Sequence, residues 1–219
     1  MKKYLRILSL AVVLASCGSG EKDEKKKDEK KPSEKQETIV QKKCSYTFDI
    51  NNTSVRWVAY KTGEKVAVSG RFDDVAESGA GETSEDATKI LKDVTLHINA
   101  LSINSQDTTR DGKLKRHFFG SLNMNDGIYG KILSMNNGKG TVLLGLNGAE
   151  MEYDMKYSKN DATYSITVET NVNDFAAQAG ILAINEVCKE KHTGPNDTSP
   201  VTWPDVKIVV ETTLIKDCE

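Results

Sequence analysis

The chain has 219 residues, of which 37% are hydrophobic and 28% are charged, a composition that supports one ordinary globular core. Its 30 Lys and Arg residues are balanced by 32 Asp and Glu residues, for a net charge of −2. This balance argues against a nucleic-acid-binding protein, because such proteins carry a clustered surplus of basic residues. Three histidines and four cysteines are too few for a large metal framework.

Residues 1–16 are predicted to be a secretory signal peptide. The basic residues that open it are Lys2, Lys3 and Arg6. An apolar run over 7–15 follows, and it is far shorter than the ~20 residues that a membrane-spanning helix needs. A short apolar run behind a basic flank is typical of a signal peptide rather than of a mature membrane helix.

The end of this apolar run resembles the cleavage box of bacterial lipoproteins. Ala15 and Ser16 are small residues that stand directly before Cys17. The resemblance implies cleavage before Cys17, acylation of its thiol and amino group, and stable membrane anchoring by several acyl chains. The alternative is an ordinary signal peptide with an incidental Cys17. Because Gly18 rather than Asp follows, we expect a lipid-anchored protein of the bacterial cell envelope, on the periplasmic or surface face of the outer membrane.

Residues 17–43 are predicted to be the lipidated cysteine followed by a disordered, charged linker. Between Glu21 and Lys43 the chain has nine Lys and seven Asp or Glu, with almost no apolar side chains. Such a segment buries too little surface to offset the entropy of ordering it. The remaining 44–219 hold 18 basic and 25 acidic residues, a net charge of −7 that disfavours phosphate-rich partners.

From Ser45 onward, apolar and polar residues alternate with period two, which predicts antiparallel strands with one buried face. The clearest hairpin joins 142–146 to 149–157 through Asn147 and Gly148, residue types that adopt the positive φ of a tight turn. Further alternating segments are 46–50, 54–60, 94–98, 163–168 and 206–211.

Two stretches have helical spacing instead, 108–119 and 176–190. About eight or more short strands with two short helices predict an all-β class for 44–219, as an antiparallel barrel or a sandwich.

Three stretches of this domain resemble the YceI-like family. The first is 46–75, which includes Val68-Ser69-Gly70-Arg71-Phe72. The second is 101–119, with Arg110, Asp111, Leu114, Phe118 and Phe119. The third is the hairpin at 142–157. One departure is Lys61-Thr62, where many members have a histidine after the second strand.

The resemblance implies a lipocalin-like antiparallel barrel of about eight strands around an elongated apolar cavity, which binds polyisoprenoid chains such as polyprenyl or quinone tails. A barrel of this size either just fills with side chains or holds one slender ligand. The residues expected to contact the ligand are Trp57, Val68, Phe72, Leu96, Ile98, Arg110, Leu114, Phe118, Phe119, Val142, Leu144, Met151 and Tyr153.

Several of these residues have a second interpretation. Arg110 and Asp111 either hold a ligand head group or form a local salt bridge that caps the short helix. Trp57 either touches the ligand or is plain core. The insert 177–204 is longer than a minimal member of the family needs, and we expect it to form a lid over one end of the barrel.

With Cys17 lipidated, three cysteines remain in an oxidising compartment. Cys44 opens the first predicted strand and Cys218 ends the last. If those strands pair antiparallel to close the barrel, a Cys44–Cys218 disulfide clamps the seam. The alternative is Cys188–Cys218, with Cys44 free.

No catalytic constellation is recognisable. There is no nucleophile elbow, and His97, His117 and His192 stand apart from one another and from other metal ligands. We therefore expect no enzyme activity, no metal and no cofactor other than a bound lipid.

The main hypothesis is an anchored, non-catalytic carrier or store for a long apolar ligand. The alternative is a structural lipoprotein whose filled barrel binds a protein partner. Related barrels often form dimers, which leaves the oligomeric state open.

Overall fold

The computed structural model describes residues 43–125 and 127–219, so the predicted signal peptide, Cys17 and nearly all of the linker lie outside the described part. The strands in this part are β1 (Cys44–Thr47), β2 (Thr53–Lys61), β3 (Val66–Phe72), β4 (Val75–Ser78), β5 (Thr95–Ile98), β6 (Ile103–Asn104), β7 (Ile128–Asn136), β8 (Lys139–Leu146), β9 (Ala149–Asn160), β10 (Thr163–Asn171), β11 (Thr202–Thr213) and β12 (Ile215–Cys218). The α-helices are α1 (Ala87–Asp93), α2 (Thr108–Lys113), α3 (Gln178–Val187) and α4 (Lys189–His192).

Ten of the strands form one antiparallel sheet in the order β4-β5-β7-β8-β9-β10-β11-β2-β3-β6. The sheet is curled, and its inward face carries most of the buried apolar side chains. The predicted all-β, antiparallel class is confirmed. The twelve described strands agree with the expected eight or more, and β4, β6 and β12 have only two to four residues, too few for an alternating pattern to stand out.

The hairpin predicted around Asn147-Gly148 is present as β8 and β9, with Leu146 opposite Ala149. Asn147 and Gly148 have φ values of 55° and 74°, the left-handed conformation that a two-residue turn requires. The Asn147 side chain also donates a hydrogen bond to the Phe175 carbonyl at 2.8 Å. The hairpin is therefore held by its turn and by a contact with the following connection.

The helices differ in part from the prediction. The 108–119 stretch is α2 followed by a π-helical segment over Leu114–Phe118, and the 176–190 stretch divides into α3 and α4. Helix α1 was not predicted, because its seven residues are too few to display a helical period. Among the described helices, none is long and apolar enough to cross a membrane.

The Cys44–Cys218 disulfide is present, with an S–S distance of 2.01 Å, and Cys188 is free. Cys44 lies opposite Cys218, so β1 and β12 do pair antiparallel, but they form a separate two-stranded sheet and do not join the ends of the main sheet. The reason is the chain between β11 and β12. Leu214 is buried there, and its N–H donates to the Ala162 carbonyl at 3.0 Å, which turns β12 away from the main sheet.

Candidate ligand cavity

The curled sheet encloses a cavity of about 380 Å³, within the range typical of small-molecule sites. Its wall includes residues from both ends of β2, from Thr53 to Lys61. Nine strand residues at about 3.3 Å each span roughly 26 Å. The cavity is therefore long relative to its volume, as a slender ligand would need.

The strands supply an almost wholly apolar wall. Its aliphatic and aromatic strand residues are Val55, Trp57, Ala59, Tyr60, Val68, Phe72, Leu96, Ile98, Ile103, Ile128, Tyr129, Ile132, Val142, Leu144, Leu146, Ile166, Val168, Trp203, Val206, Ile208 and Val210. On β11, the wall residues Val206, Ile208, Val210 and Thr212 alternate with residues outside the wall, so the period-two pattern places every second side chain of this stretch inward.

Trp57 is only 7% exposed, and it packs with Ala100, Ile103 and Phe119 while also lining the cavity. Trp57 therefore belongs both to the core and to the cavity wall, so its two interpretations do not exclude each other. Phe118 and Phe119 both reach the cavity, with their rings edge to face and their centroids 5.1 Å apart.

Eleven of the thirteen predicted contact residues line the cavity: Trp57, Val68, Phe72, Leu96, Ile98, Arg110, Leu114, Phe118, Phe119, Val142 and Leu144. Their contact with a ligand stays a prediction.

Met151 and Tyr153 are not part of the wall. Met151 is 37% exposed, close to the hairpin turn. The Tyr153 hydroxyl donates to Asp174 Oδ2 at 2.6 Å, and its ring packs beside Phe175. Burial, helped by this hydrogen bond, raises the pKa of Tyr153 to about 12. Both positions are on the same face of the sheet as the wall residues opposite them, Leu144 and Val142, but no residue of β9 is part of the wall. Phe175, in the chain after β10, lines the cavity instead and packs beside Tyr153.

The insert after β10 lines one end of the cavity, and its role as a lid stays a prediction. Ile181 and Ile184 of α3 face the cavity, together with Cys188 and with Lys191 and His192 of α4. The helical spacing of Ile181 and Ile184 was visible in the sequence. The cavity position of Lys191 was not, since a charged residue in a four-residue helix carries no such signal.

Arg110 and Asp111 do not form the expected salt bridge with each other. Arg110 Nε donates to Ser105 Oγ at 2.7 Å, and Arg110 Nη2 donates to the Ser105 carbonyl at 2.9 Å. Asp111 is buried, and its Oδ1 accepts from the Ser105 N–H at 2.9 Å. Both side chains thus form hydrogen bonds with Ser105, which fix α2 against the end of β6. Arg110 also lines the cavity.

The end of the cavity beneath α2 and α4 is basic. Lys61, Arg110, Lys113 and Lys191 line it, with Asp107 as the only carboxylate of the wall in the part of the chain described. Lys113 Nζ donates to the Val187 carbonyl at 2.8 Å, which ties α2 to α3. None of the four cations forms an ion pair with a carboxylate of residues 43–125 or 127–219.

His192 links α4 to its neighbours at this end. Its Nδ1 lies 2.7 Å from Thr202 Oγ1 and 3.2 Å from Asn185 Oδ1. Burial, and then the positive charges of Lys61 and Lys113, lower the pKa of His192 to about 4. The ring is therefore neutral near pH 7. No group of three or more His, Cys, Asp or Glu residues in the described ranges could hold a metal ion.

Comparison with known proteins points to one family. The model of the YceI-like domain matches residues 46–214. A polyisoprenoid-binding domain from Saccharophagus degradans implicated in plant cell wall breakdown has a TM-score of 0.51 at 12% identity, over 79% of this chain and 99% of that one. Burkholderia cenocepacia BcnA has a TM-score of 0.47 at 13% identity, over 78% of this chain and 99% of that one. No curated protein has a significant sequence match. At such identities, the structural likeness of the first of these concerns the fold.

Proposed function

The chain belongs to the YceI-like family, and on that premise we propose that its cavity binds one long apolar ligand of the isoprenoid type, such as a polyprenyl or quinone tail. The observation that carries this proposal is the predominantly apolar wall of a cavity that reaches from one end of β2 to the other. The Saccharophagus degradans relative, which has the same fold, is described as polyisoprenoid-binding.

Such a ligand suits the wall energetically. An isoprenoid tail has no polar groups to satisfy, and each buried CH₂ contributes roughly 0.8 kcal/mol. Binding then consists of removing the chain from water, with entry and release through the lid end, and it requires no catalytic group. The open volume of about 380 Å³ favours this role over a barrel filled by side chains that binds a protein partner.

We further propose that the protein is a lipoprotein of the bacterial envelope, anchored through Cys17 and extended by its charged linker. Metabolic labelling with a fatty acid, followed by membrane fractionation, tests this. The full-length chain is expected to incorporate label and to sediment with membranes, and Cys17→Ser is expected to lose the label. Equal labelling of both would contradict the proposal.

Native mass spectrometry of the full-length chain tests ligand binding. We expect a non-covalent mass that extracts into organic solvent and fragments in isoprene steps. Leu144→Trp narrows the cavity and is expected to lower its occupancy. Leu143→Trp is the matched control, because Leu143 precedes it on β8 but is not part of the wall. A chain that stays free of ligand after incubation with polyprenols and quinones would contradict the proposal.

A further inference from the structure

The two ends of the cavity differ in charge. The end near the start of β2 is lined by neutral residues such as Phe48, Thr53, Leu91 and Thr212, and by Arg56, whose charge is paired with Glu211 at 2.8 Å. The lid end has four cations and one carboxylate, a local charge of +3. This surplus is not a reflection of the domain as a whole, because 44–219 carries a net charge of −7.

Three separate elements bring these cations together. Lys61 ends β2, Arg110 and Lys113 belong to α2, and Lys191 belongs to α4. The hydrogen bond from Lys113 to Val187 fixes α2 against α3, and α4 follows α3 directly. The charges also act on shared neighbours. Lys61 and Lys113 both lower the pKa of His192, and Arg110 and Lys191 contribute to the lowered pKa of Asp107.

The four cations lie in the cavity wall without a carboxylate partner in the described residues, whereas Arg56, the remaining Lys or Arg of the wall, pairs with Glu211 at 2.8 Å. Lys65 lies 2.9 Å from Asp205, and Lys189 lies 2.7 Å from Glu186. Lys61, Arg110 and Lys113 are instead half-buried at the end of an apolar cavity. Gathering like charges in a partly desolvated place is unfavourable unless an anion compensates them. The arrangement therefore suits an anionic occupant.

We propose that the basic end of the cavity binds the anionic head group, a phosphate or a carboxylate, of an amphiphile whose apolar tail fills the rest of the cavity. The inference rests on the proposed function and narrows its ligand class. The tail supplies most of the affinity through buried area, and Lys61, Lys113 and Lys191 supply selection for charge through charge-assisted hydrogen bonds. A neutral alcohol or quinone with the same tail gains only the affinity that comes from burying the tail.

A series of ligands with one tail tests the proposal on the full-length chain. Geranylgeranyl phosphate, geranylgeranoic acid, geranylgeraniol and inorganic phosphate are compared by isothermal titration calorimetry. At least one of the two anions with a tail is expected to bind about ten-fold or more tightly than the alcohol, the ratio that corresponds to about 1.4 kcal/mol. The comparison of phosphate with acid identifies the head group.

The Lys61→Gln/Lys113→Gln double variant is expected to reduce this preference to within about three-fold, because two charge-assisted hydrogen bonds are weakened. Lys207→Gln is the matched control, since Lys207 lies on β11 between two wall residues but outside the wall. Its preference for the anion is expected to equal that of the unmodified chain.

Three outcomes would overturn the inference. If the alcohol binds as tightly as both anions, the head-group site is wrong and the proposed function stands. If inorganic phosphate binds as tightly as geranylgeranyl phosphate, the cations form a site for a free anion rather than for an amphiphile. If no ligand with a tail binds, the proposed function fails, and the inference fails with it.

Discussion

Asp111 is buried beneath α2, where it accepts hydrogen bonds from both the backbone N–H and the hydroxyl of Ser105. Asp111→Ala leaves these buried donors without an acceptor, which we expect to lower the free energy of unfolding by about 2–3 kcal/mol. Asp111→Asn keeps one acceptor and is expected to cost less. Urea unfolding followed by circular dichroism measures both. Equal stability of Asp111→Ala and the unmodified chain would show that Ser105 does not depend on this carboxylate.

His192 is expected to make stability depend on pH. Its pKa is about 4 in the folded chain, against an ordinary value of 6.5, so the unfolded chain binds a proton first as pH falls. The contribution is complete above pH 6.5 and is lost as pH approaches 4. Because the ring is half-exposed, solvent screens part of this effect. We therefore expect the free energy of unfolding to fall by about 1–2 kcal/mol, which is less than the full pKa shift would give.

Urea unfolding at pH 7 and at pH 4.5 measures this loss. The control is His192→Gln, which retains a hydrogen-bonding side chain but does not titrate, and it is expected to lose about 1–2 kcal/mol less than the unmodified chain between the two pH values. The same pH dependence in both proteins would assign the effect to other groups.

At the scale of elements, α3 sits against the Phe118 ring through Gly180. A Cβ at Gly180 would lie 2.8 Å from Phe118 Cδ2 and 3.1 Å from the Phe118 carbonyl. Gly180→Ala gains up to about 1 kcal/mol of helix propensity, but it forces α3 or Phe118 to move. Since overpacking typically costs about 1–3 kcal/mol, we expect net destabilisation and weaker ligand binding.

Gly112→Ala is the matched control. It also lies in a helix, α2, but its added Cβ would meet nothing closer than Arg116 Nη2, at 3.7 Å. It is expected to stabilise the domain by up to about 1 kcal/mol. Thermal unfolding of both variants separates the two effects. If both are stabilised alike, α3 is not held closely against Phe118.

At the scale of the whole molecule, the Cys44–Cys218 disulfide joins positions that are 174 residues apart and so restrains nearly the entire domain. In the loop-entropy model, a closed loop of this length contributes about 5 kcal/mol. We expect the Cys44→Ser/Cys218→Ser variant to lose a large part of this stabilisation, as measured by chemical unfolding. Cys188→Ser, which removes the free thiol, is expected to change stability far less. Equal stability of the double variant and the unmodified chain would mean that the β1–β12 pairing suffices without the bond.

Local patterns made the strands and the main hairpin predictable from the sequence. Side-chain alternation is a property of a few consecutive residues, so β2, β8, β10 and β11 could be located without knowledge of their partners. The turn at Asn147-Gly148 follows from the conformational preferences of these two residues alone. Short elements such as α1 and β6 could not be found, because too few residues express a period.

The sequence by itself therefore determined the all-β class, the inward apolar faces, the family and eleven of the residues that line the cavity. Only the tertiary structure decided that β9 contributes no residue to the wall, which excluded Met151 and Tyr153. It also decided that Lys61, Lys113 and Lys191 meet at one end, although 130 positions separate the first from the last. The physical reason is that the alternation between buried and exposed side chains is a property of neighbouring residues, so the sequence displays it directly. An electrostatic site depends instead on charges that only the packing of distant elements brings together.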